Sequence, residues 1–408
     1  MTRIPDGKTI QITEIMRKLL PLFILAIMTA ACSNPKSAET INQEEALAKV
    51  DELCTELFPA DEPGAAVLVL KGDEVIFDKG YGLADLETKA PVNGDTFFNI
   101  ASVSKQFTAT SIMQLAEKGL LSLEDSVAMY HPEYESDIWK RVKVKHLISH
   151  TSGVPDARRG YTLEQRIHGD DVLAMEYLTK LDYLNFEPET NYEYINPTFV
   201  LAGDIVSKVS GKPFPEYVRE NIFTPAGMEH ALYFDPAIED QIPNMAHGYE
   251  YADVSDMPEE RTASTAEKDA PKNWYELDYG EETFFATKPD GGIYTSTHEF
   301  AQWEKALRNN TVMTEESRLM AQSPKTYVTG SQFSDYQNRE NTWYGYGWFI
   351  EPATDSTSEV IYHTGDNGGF KILAARYPES NALVLIFANR ADWDRYEVMQ
   401  KFEEYLGL

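Results

Sequence analysis

The spacing of apolar residues changes period along this chain, and each change marks an element. Ala65–Leu70 is an unbroken apolar run; Lys71-Gly72-Asp73 is a turn signal, and Glu74–Asp78 follows with strand composition, so a hairpin is predicted. Ahead of it, Glu44–Leu57 reads as a helix. From Ser102 the period becomes helical. Val103, Phe107, Thr110 and Met113 recur at steps of three and four, Leu115 extends the apolar side, and Gly119 supplies a stop. From about 120 to 285 the pattern is one of helices and loops with little strand alternation. Within it, Asn196-Pro197 opens a helix carrying Phe199, Ala202, Val206 and Val209 on one face, and Gly211 ends it.

Residues 249–283 form a polar, acidic connection with scattered aromatics. Connections of that length within a compact domain are usually functional, and this one is treated as a candidate lid. Strand runs return at Tyr344–Ile350, Val360–His363, Phe370–Tyr377 and Leu383–Phe387, and a helix over Trp393–Tyr405 closes the chain. The pattern is therefore α+β: an antiparallel sheet built from both termini and flanked by helices, with an inserted mostly helical region at about 120–285.

The N-terminus reads differently. Arg17 and Lys18 precede an apolar run, Leu19–Met28, too short to span a bilayer, followed by Thr29-Ala30-Ala31-Cys32. This predicts an export signal over 1–31, starting at Met1 or at Met16. The small residues ending at Cys32 resemble a bacterial lipoprotein lipobox, which implies cleavage before Cys32 and a lipid anchor on it, in the bacterial cell envelope. Thr29 stands where Leu is usual, so ordinary signal cleavage is the alternative. Residues 32–45 are small and polar and read as a linker, leaving 46–408 as the folded domain.

Composition narrows the classes. A chain of 408 residues, 42% hydrophobic and 25% charged, has the makeup of a globular protein able to bury a sizeable core. A net charge of -30 repels phosphate backbones, which argues against nucleic acid as a partner. Cys32 and Cys54 are the two cysteines; with Cys32 given to the anchor, no intramolecular disulfide is available.

The candidate chemistry starts at Ser102 and Lys105. A serine hydroxyl needs a base within hydrogen-bond reach, and residues three apart on a helix share a face. A lysine buried there loses solvation, its pKa falls, and it can take the seryl proton. Ser-x-x-Lys alone is weak: Ser33-Asn-Pro-Lys36 matches it too, inside the linker. Context favours Ser102, with strands before it and an amphipathic helix after it. No Gly-x-Ser-x-Gly, His-Glu-x-x-His or Walker A sequence occurs, and two cysteines cannot build a thiolate zinc site.

The segment Phe98-Asn-Ile-Ala-Ser-Val-Ser-Lys-Gln-Phe-Thr-Ala109 resembles the first motif of the serine β-lactamase/penicillin-binding-protein superfamily, in the branch of class C β-lactamases, D-alanyl-D-alanine carboxypeptidases and related esterases. His146-Leu-Ile-Ser-His-Thr-Ser-Gly-Val-Pro-Asp156, Gly291-Gly-Ile-Tyr-Thr-Ser296 and Tyr344-Gly-Tyr-Gly-Trp348 are similar to further stretches of that branch. The resemblance spans about Pro63 to Asn389 and implies a β-lactamase/transpeptidase-like fold.

It also implies roles. The family's second motif, Tyr-x-Asn, fits Tyr183-Leu-Asn185, Tyr194-Ile-Asn196 and Tyr336-Gln-Asn338; the continuation Pro-Thr-Phe-Val-Leu-Ala-Gly203 selects Tyr194. Tyr194 would then be general base and acid, and Asn196 would contact the substrate amide, although Asn196 also reads as a plain helix N-cap. Glu189 departs from the usual Gly, and Ile195 from the common Ser. The third motif fits His363-Thr364-Gly365, with the Asp366 N–H pairing with that of Ser102 as an oxyanion hole and the Asp366 side chain turned away or paired. A substrate-site role is expected of His363, and structural roles of His146, His150 and the aromatics of Tyr344–Trp348.

These residues imply a serine hydrolase acting through an acyl-enzyme on small esters, amides or D-amino-acid peptides, with no metal or cofactor. His363 in place of a lysine removes a permanent cation that would bind a β-lactam carboxylate, so β-lactamase is the alternative. The non-enzymatic alternative is a lipoprotein that keeps the fold for penicillin binding or sensing.

Overall fold

The computed structural model describes residues 42–251, 274–277, 286–328 and 341–408. At its centre lies an eight-stranded antiparallel sheet. An interior strand, Ala382–Ala388, pairs on one side with Phe370–Tyr377 and on the other with Ala65–Lys71. Beyond Phe370–Tyr377 come Val360–Asn367, Phe349–Glu351, Trp343–Tyr344 and Thr326–Tyr327; beyond Ala65–Lys71 comes Glu74–Tyr81 at the opposite edge. The sheet is thus sewn from both ends of the domain, as the α+β pattern predicts.

Both faces of the sheet are covered, which explains runs that are apolar rather than alternating. Ala66, Leu68 and Leu70 join one core with Phe107, Ile112 and Trp303. Ala65, Val67 and Val69 join a second, with Val50 and Cys54 of the helix Gln43–Leu57 and Met399 and Phe402 of the helix Arg395–Leu406. Side chains of one strand alternate between the two cores at period two.

The single strand expected over Tyr344–Ile350 is two. Trp343–Tyr344 and Phe349–Glu351 pair antiparallel, Tyr344 opposite Phe349, around a turn at Gly345-Tyr346-Gly347. Gly345 N–H donates to Trp348 O, and Gly347 takes a φ of 88° against the helix Lys105–Glu117, where a Cβ would lie 3.0 Å from Lys105 O. An apolar run does not reveal such a turn when the turn is itself buried.

The region expected to be helical is mostly so, with short strands added. Leu232–Tyr233 and Phe98–Asn99 flank Ile293–Thr295 in a three-stranded sheet. Tyr249–Tyr251 pairs with Trp274–Glu276, so parts of the candidate lid are a fixed ribbon. Tyr249 N–H donates to Asn389 O, and the Arg390 guanidinium sits 4.6 Å from the Trp274 ring centre. The rest of the candidate lid, 252–273 and 278–283, lies outside the described residues, as do Cys32, the signal segment and Tyr336.

Candidate active site

The approach to Ser102 is set by its neighbours in sequence. Phe98–Asn99 is held as a strand, and Ile100 N–H donates to Ile293 O. Ala101 then adopts a left-handed φ of 45°, uncommon for a residue with a Cβ, while its N–H donates to Asn99 Oδ1 at 2.9 Å. A single 3₁₀ turn, Ala101–Ser104, leads into the helix Lys105–Glu117, so Ser102 lies in a tight turn ahead of the expected α-helix. Two side-chain bonds tie this turn and helix to Ile293 and to Pro289. Ser104 Oγ accepts from Ile293 N–H, and Thr108 Oγ1 donates to Pro289 O.

Lys105 Nζ donates to Ser102 Oγ at 2.9 Å and to the carbonyl of Asp290 at 2.7 Å. The lysine has no exposed surface, and its Nζ lies 5.0 Å from the Tyr194 ring centre and 5.5 Å from that of Phe199. Burial pushes its pKa down to about 7; the Asp290 carboxylate opposes that shift and the Arg158 guanidinium adds to it. An amine with this proton affinity can exchange a proton with a seryl hydroxyl near neutral pH.

Ser102 opens into a cleft of about 360 Å³, whose walls include Tyr194, Asn196, Thr364, Asp366, Arg158 and Asp290. Tyr194 is placed by the stretch His146–Asp156. His150 Nδ1 accepts from Ile195 N–H, and Thr198 Oγ1 donates to Leu147 O and Ile195 O. Its ring stacks on Phe349 and lies against His150. Tyr183 is 57% exposed and does not border the cleft. Asn196 precedes the helix Pro197–Ser210 with helical φ and ψ and makes no capping bond; the cap reading fails, and its side chain borders the cleft.

Glu189, which stands where the family usually has Gly, has a φ of 68°. Glycine suits that left-handed backbone. Here a glutamate takes it, and its carboxylate pairs with Lys145 Nζ at 2.7 Å and lies 3.4 Å from His146 Nε2.

The Val360–Asn367 strand runs beside the turn Ala101–Ser104. Gly365 is what lets it do so: a Cβ there would lie 2.4 Å from Ile100 O and 3.1 Å from Ala101 Cβ. Thr364 and Asp366 face the cleft. The Asp366 carboxylate is paired with Arg395, itself buried and donating also to Gly365 O and Ile372 O, both at 3.1 Å. The one acidic side chain of this strand that borders the cleft is thereby paired with a cation.

His363 does not face the cleft as expected of a substrate contact. It has no exposed surface; Nδ1 bonds Thr364 O at 2.7 Å and Nε2 bonds Tyr344 Oη at 3.1 Å. Burial, chiefly, pushes its pKa down to about 3, with nearby Lys105 acting in the same sense. Strand alternation turns it inward, behind Tyr194, whose ring centre is 6.3 Å away. It is a neutral buttress for the tyrosine.

Arg395, Arg158 and Asp290 all border the cleft and escaped sequence reasoning. Arg158 Nη1 lies 3.8 Å from Asp290 Oδ2, and the guanidinium is also bonded twice through Nε and Nη2 to Asp156. Asp290 adjoins the quoted stretch Gly291–Ser296, and Arg158 follows Asp156 closely. Motif boundaries drawn two residues wider would have included both.

The sequence model of the Beta-lactamase family matches residues 54–404. A putative penicillin-binding protein of Bacillus subtilis, PbpX, is 26% identical over 88% of this chain and 81% of its own. Among solved structures, the octameric penicillin-binding protein homologue of Pyrococcus abyssi superposes with a TM-score of 0.72 at 23% identity, covering 88% of this chain and 77% of that one. The D-amino acid amidase of Ochrobactrum anthropi superposes with a TM-score of 0.70 at 21% identity, covering 90% and 99%. At these identities the two structures speak for the fold alone. The family match over most of the domain does more, and with it the chain belongs to the Beta-lactamase family, within the serine β-lactamase/penicillin-binding-protein superfamily.

Proposed function

We propose that this protein is a serine hydrolase that forms an acyl-enzyme on Ser102 and acts on small esters, amides or D-amino-acid peptides. The observation that carries the reading is the 2.9 Å bond between Ser102 Oγ and a fully buried Lys105 amine whose pKa lies at about 7. In the proposed cycle Ser102 Oγ attacks the substrate carbonyl as its proton passes to Lys105, with Tyr194 sharing the relay. The N–H groups of Ser102 and Asp366 receive the oxyanion. Collapse breaks the bond to the leaving group, which takes the proton back through Tyr194. Water then adds to the acyl carbon by the reverse route and releases the acid and Ser102.

The substrate reading draws on the cleft's charges and on the relatives. His363 is neutral and turned inward, while Arg158 and Arg395 are each already bonded to a carboxylate. A β-lactam carboxylate would compete for those cations, which favours esters and amides over β-lactams. The amidase among the structural neighbours supports including D-amino-acid amides.

The test is covalent labelling. A fluorophosphonate probe should label the wild type and leave Ser102→Ala unlabelled at equal thermal stability; equal labelling of both overturns the reading. Parallel turnover of p-nitrophenyl butyrate, a D-Ala-D-Ala peptide and nitrocefin then ranks the substrates. Export and lipidation at Cys32 are proposed on the N-terminal pattern, and loss of fatty-acid labelling in Cys32→Ser tests them.

A further inference from the structure

Lys105 is enclosed by groups that cannot all act on it equally. The Tyr194 and Phe199 rings face it, and Ser102 Oγ and Asp290 O accept its hydrogen bonds. Two imidazoles lie near: His150, fully buried and held well below the ordinary histidine range, and His363, held at about 3. Burial is the chief cause for both, so both stay neutral across the pH range in which an enzyme works. The groups left to act on Lys105 are the Asp290 carboxyl, whose own pKa burial raises against the opposing pull of Lys105 and Arg158, and the Arg158 guanidinium.

We propose that the Asp290 carboxylate and the Arg158 guanidinium are positioning residues, an opposed charge pair that sets how readily Lys105 releases and regains the seryl proton. This rests on the reading of Ser102 as the acylated nucleophile. The geometry is that of a clamp. The Asp290 backbone carbonyl fixes Lys105 Nζ at 2.7 Å, so the same residue's carboxylate is held near the amine whatever the substrate does. Arg158 reaches that carboxylate at 3.8 Å, anchored by its two hydrogen bonds to Asp156. Asp290 is 5% exposed, so solvent screens this field little. Carboxylate alone would hold the proton on Lys105; guanidinium alone would drive it off. The pair leaves the amine between those limits.

One further carboxyl belongs to this neighbourhood. Asp171 accepts from Lys288 N–H at 2.9 Å, and burial pushes its pKa up to about 7. Its own titration overlaps that of Lys105, and a control must remove it.

The experiment is the pH dependence of kcat/KM for a small uncharged ester, p-nitrophenyl acetate, with fluorophosphonate labelling of Ser102 followed in parallel. The free-enzyme base governs the acid limb of that profile. Asp290→Asn keeps the carbonyl that holds Lys105 and removes only the negative charge, so the midpoint should fall by about 0.5–1 pH unit. Arg158→Gln removes the positive charge, so the midpoint should rise by a similar amount. Asp290→Glu and Arg158→Lys keep charge and should restore the wild-type midpoint even where the rate drops; Asp171→Asn should leave it in place. A merely structural pair would lower rates without moving midpoints in opposite directions. Unmoved midpoints, or shifts of the same sign, overturn the proposal. If Asp290→Asn does not fold, Arg158→Gln decides: a rise supports the pair and an unmoved midpoint overturns it. Absence of Ser102-dependent labelling in the wild type would instead sink the nucleophile reading, a result that looks different from any of these.

Discussion

Lys105 Nζ lies 2.9 Å from Ser102 Oγ on a side chain with no exposed surface. That closeness has a cost to the fold as well as a use. A lysine whose folded pKa is about 7, against 10.5 when solvated, binds fewer protons folded than unfolded between those values. Stability then rises with pH from about 7 upward, and the full penalty stands below it. Lys105→Met should therefore raise the unfolding free energy by on the order of 1–3 kcal/mol at pH 6 and by less at pH 9.5. Urea denaturation at the two pH values measures this. Lys105→Arg, which cannot give up its proton, should keep the fold and lower Ser102 acylation by about 10²–10⁴-fold.

Gly365 and Ala101 define how near the strand passes to the nucleophile turn. A Cβ at 365 would meet Ile100 O at 2.4 Å, a backbone atom that cannot rotate aside. Gly365→Ala should push the strand and the turn apart. Destabilisation of about 1–3 kcal/mol is expected, with a loss in kcat/KM of about 100-fold or more as the two N–H groups separate. A variant with wild-type kcat/KM would show that this close approach does not matter to the oxyanion position.

Glu189 tests whether its ion pairs or its backbone matter more. The ion pair with Lys145 and the 3.4 Å contact with His146, a ring whose pKa burial lowers, are made by a carboxylate that is 58% exposed, so they contribute little. The left-handed φ of 68° is strained for any residue with a Cβ. Glu189→Gly should accordingly be about 1 kcal/mol more stable than Glu189→Ala, the two having lost the same pairs. Thermal melts of the two variants give the comparison directly.

His298 bridges Asp78 and Asp95, with Nε2 and Nδ1 each at 2.7 Å from a carboxylate oxygen. Both bonds need both ring nitrogens protonated. The carboxylates raise its pKa above the ordinary histidine value, against the opposing and largest effect of burial. The bridge's stabilisation is then complete below pH 6.5 and is lost as pH rises through the folded pKa. His298→Gln should lower Tm at pH 5.5 and leave it nearly unchanged at pH 9. Equal losses at both pH values would show that ring packing, not charge, is what His298 supplies.

Much of this was legible in the chain. The runs Ala65–Leu70, Phe370–Tyr377 and Leu383–Phe387 are central strands because both their faces are apolar, and helical spacing from Val103 onward marked the nucleophile helix. Ser102 and Lys105 were named on three-residue spacing and its context, and Tyr194 and the strand beginning at Val360 on their resemblance to the family's second and third motifs. What local order could not decide is which way a side chain turns and what meets it from far along the chain. His363 looked like a substrate contact and is a buried neutral group, because strand alternation and the aromatic layer of Tyr344, Phe349 and Tyr194 placed it inward. Asn196 looked like a cap and makes none. The hydrogen bond from Lys105 to the Asp290 carbonyl joins residues 185 apart. No sequence period encodes such a bond; it exists because Ile293–Thr295 pairs with Phe98–Asn99 and carries Asp290 against the nucleophile helix. The sequence by itself determined the sheet, the helix and the Ser102–Lys105 pair at its start. Only the tertiary structure decided the electrostatics of that lysine, since a proton affinity depends on what is packed around the amine, not on what precedes it in the chain.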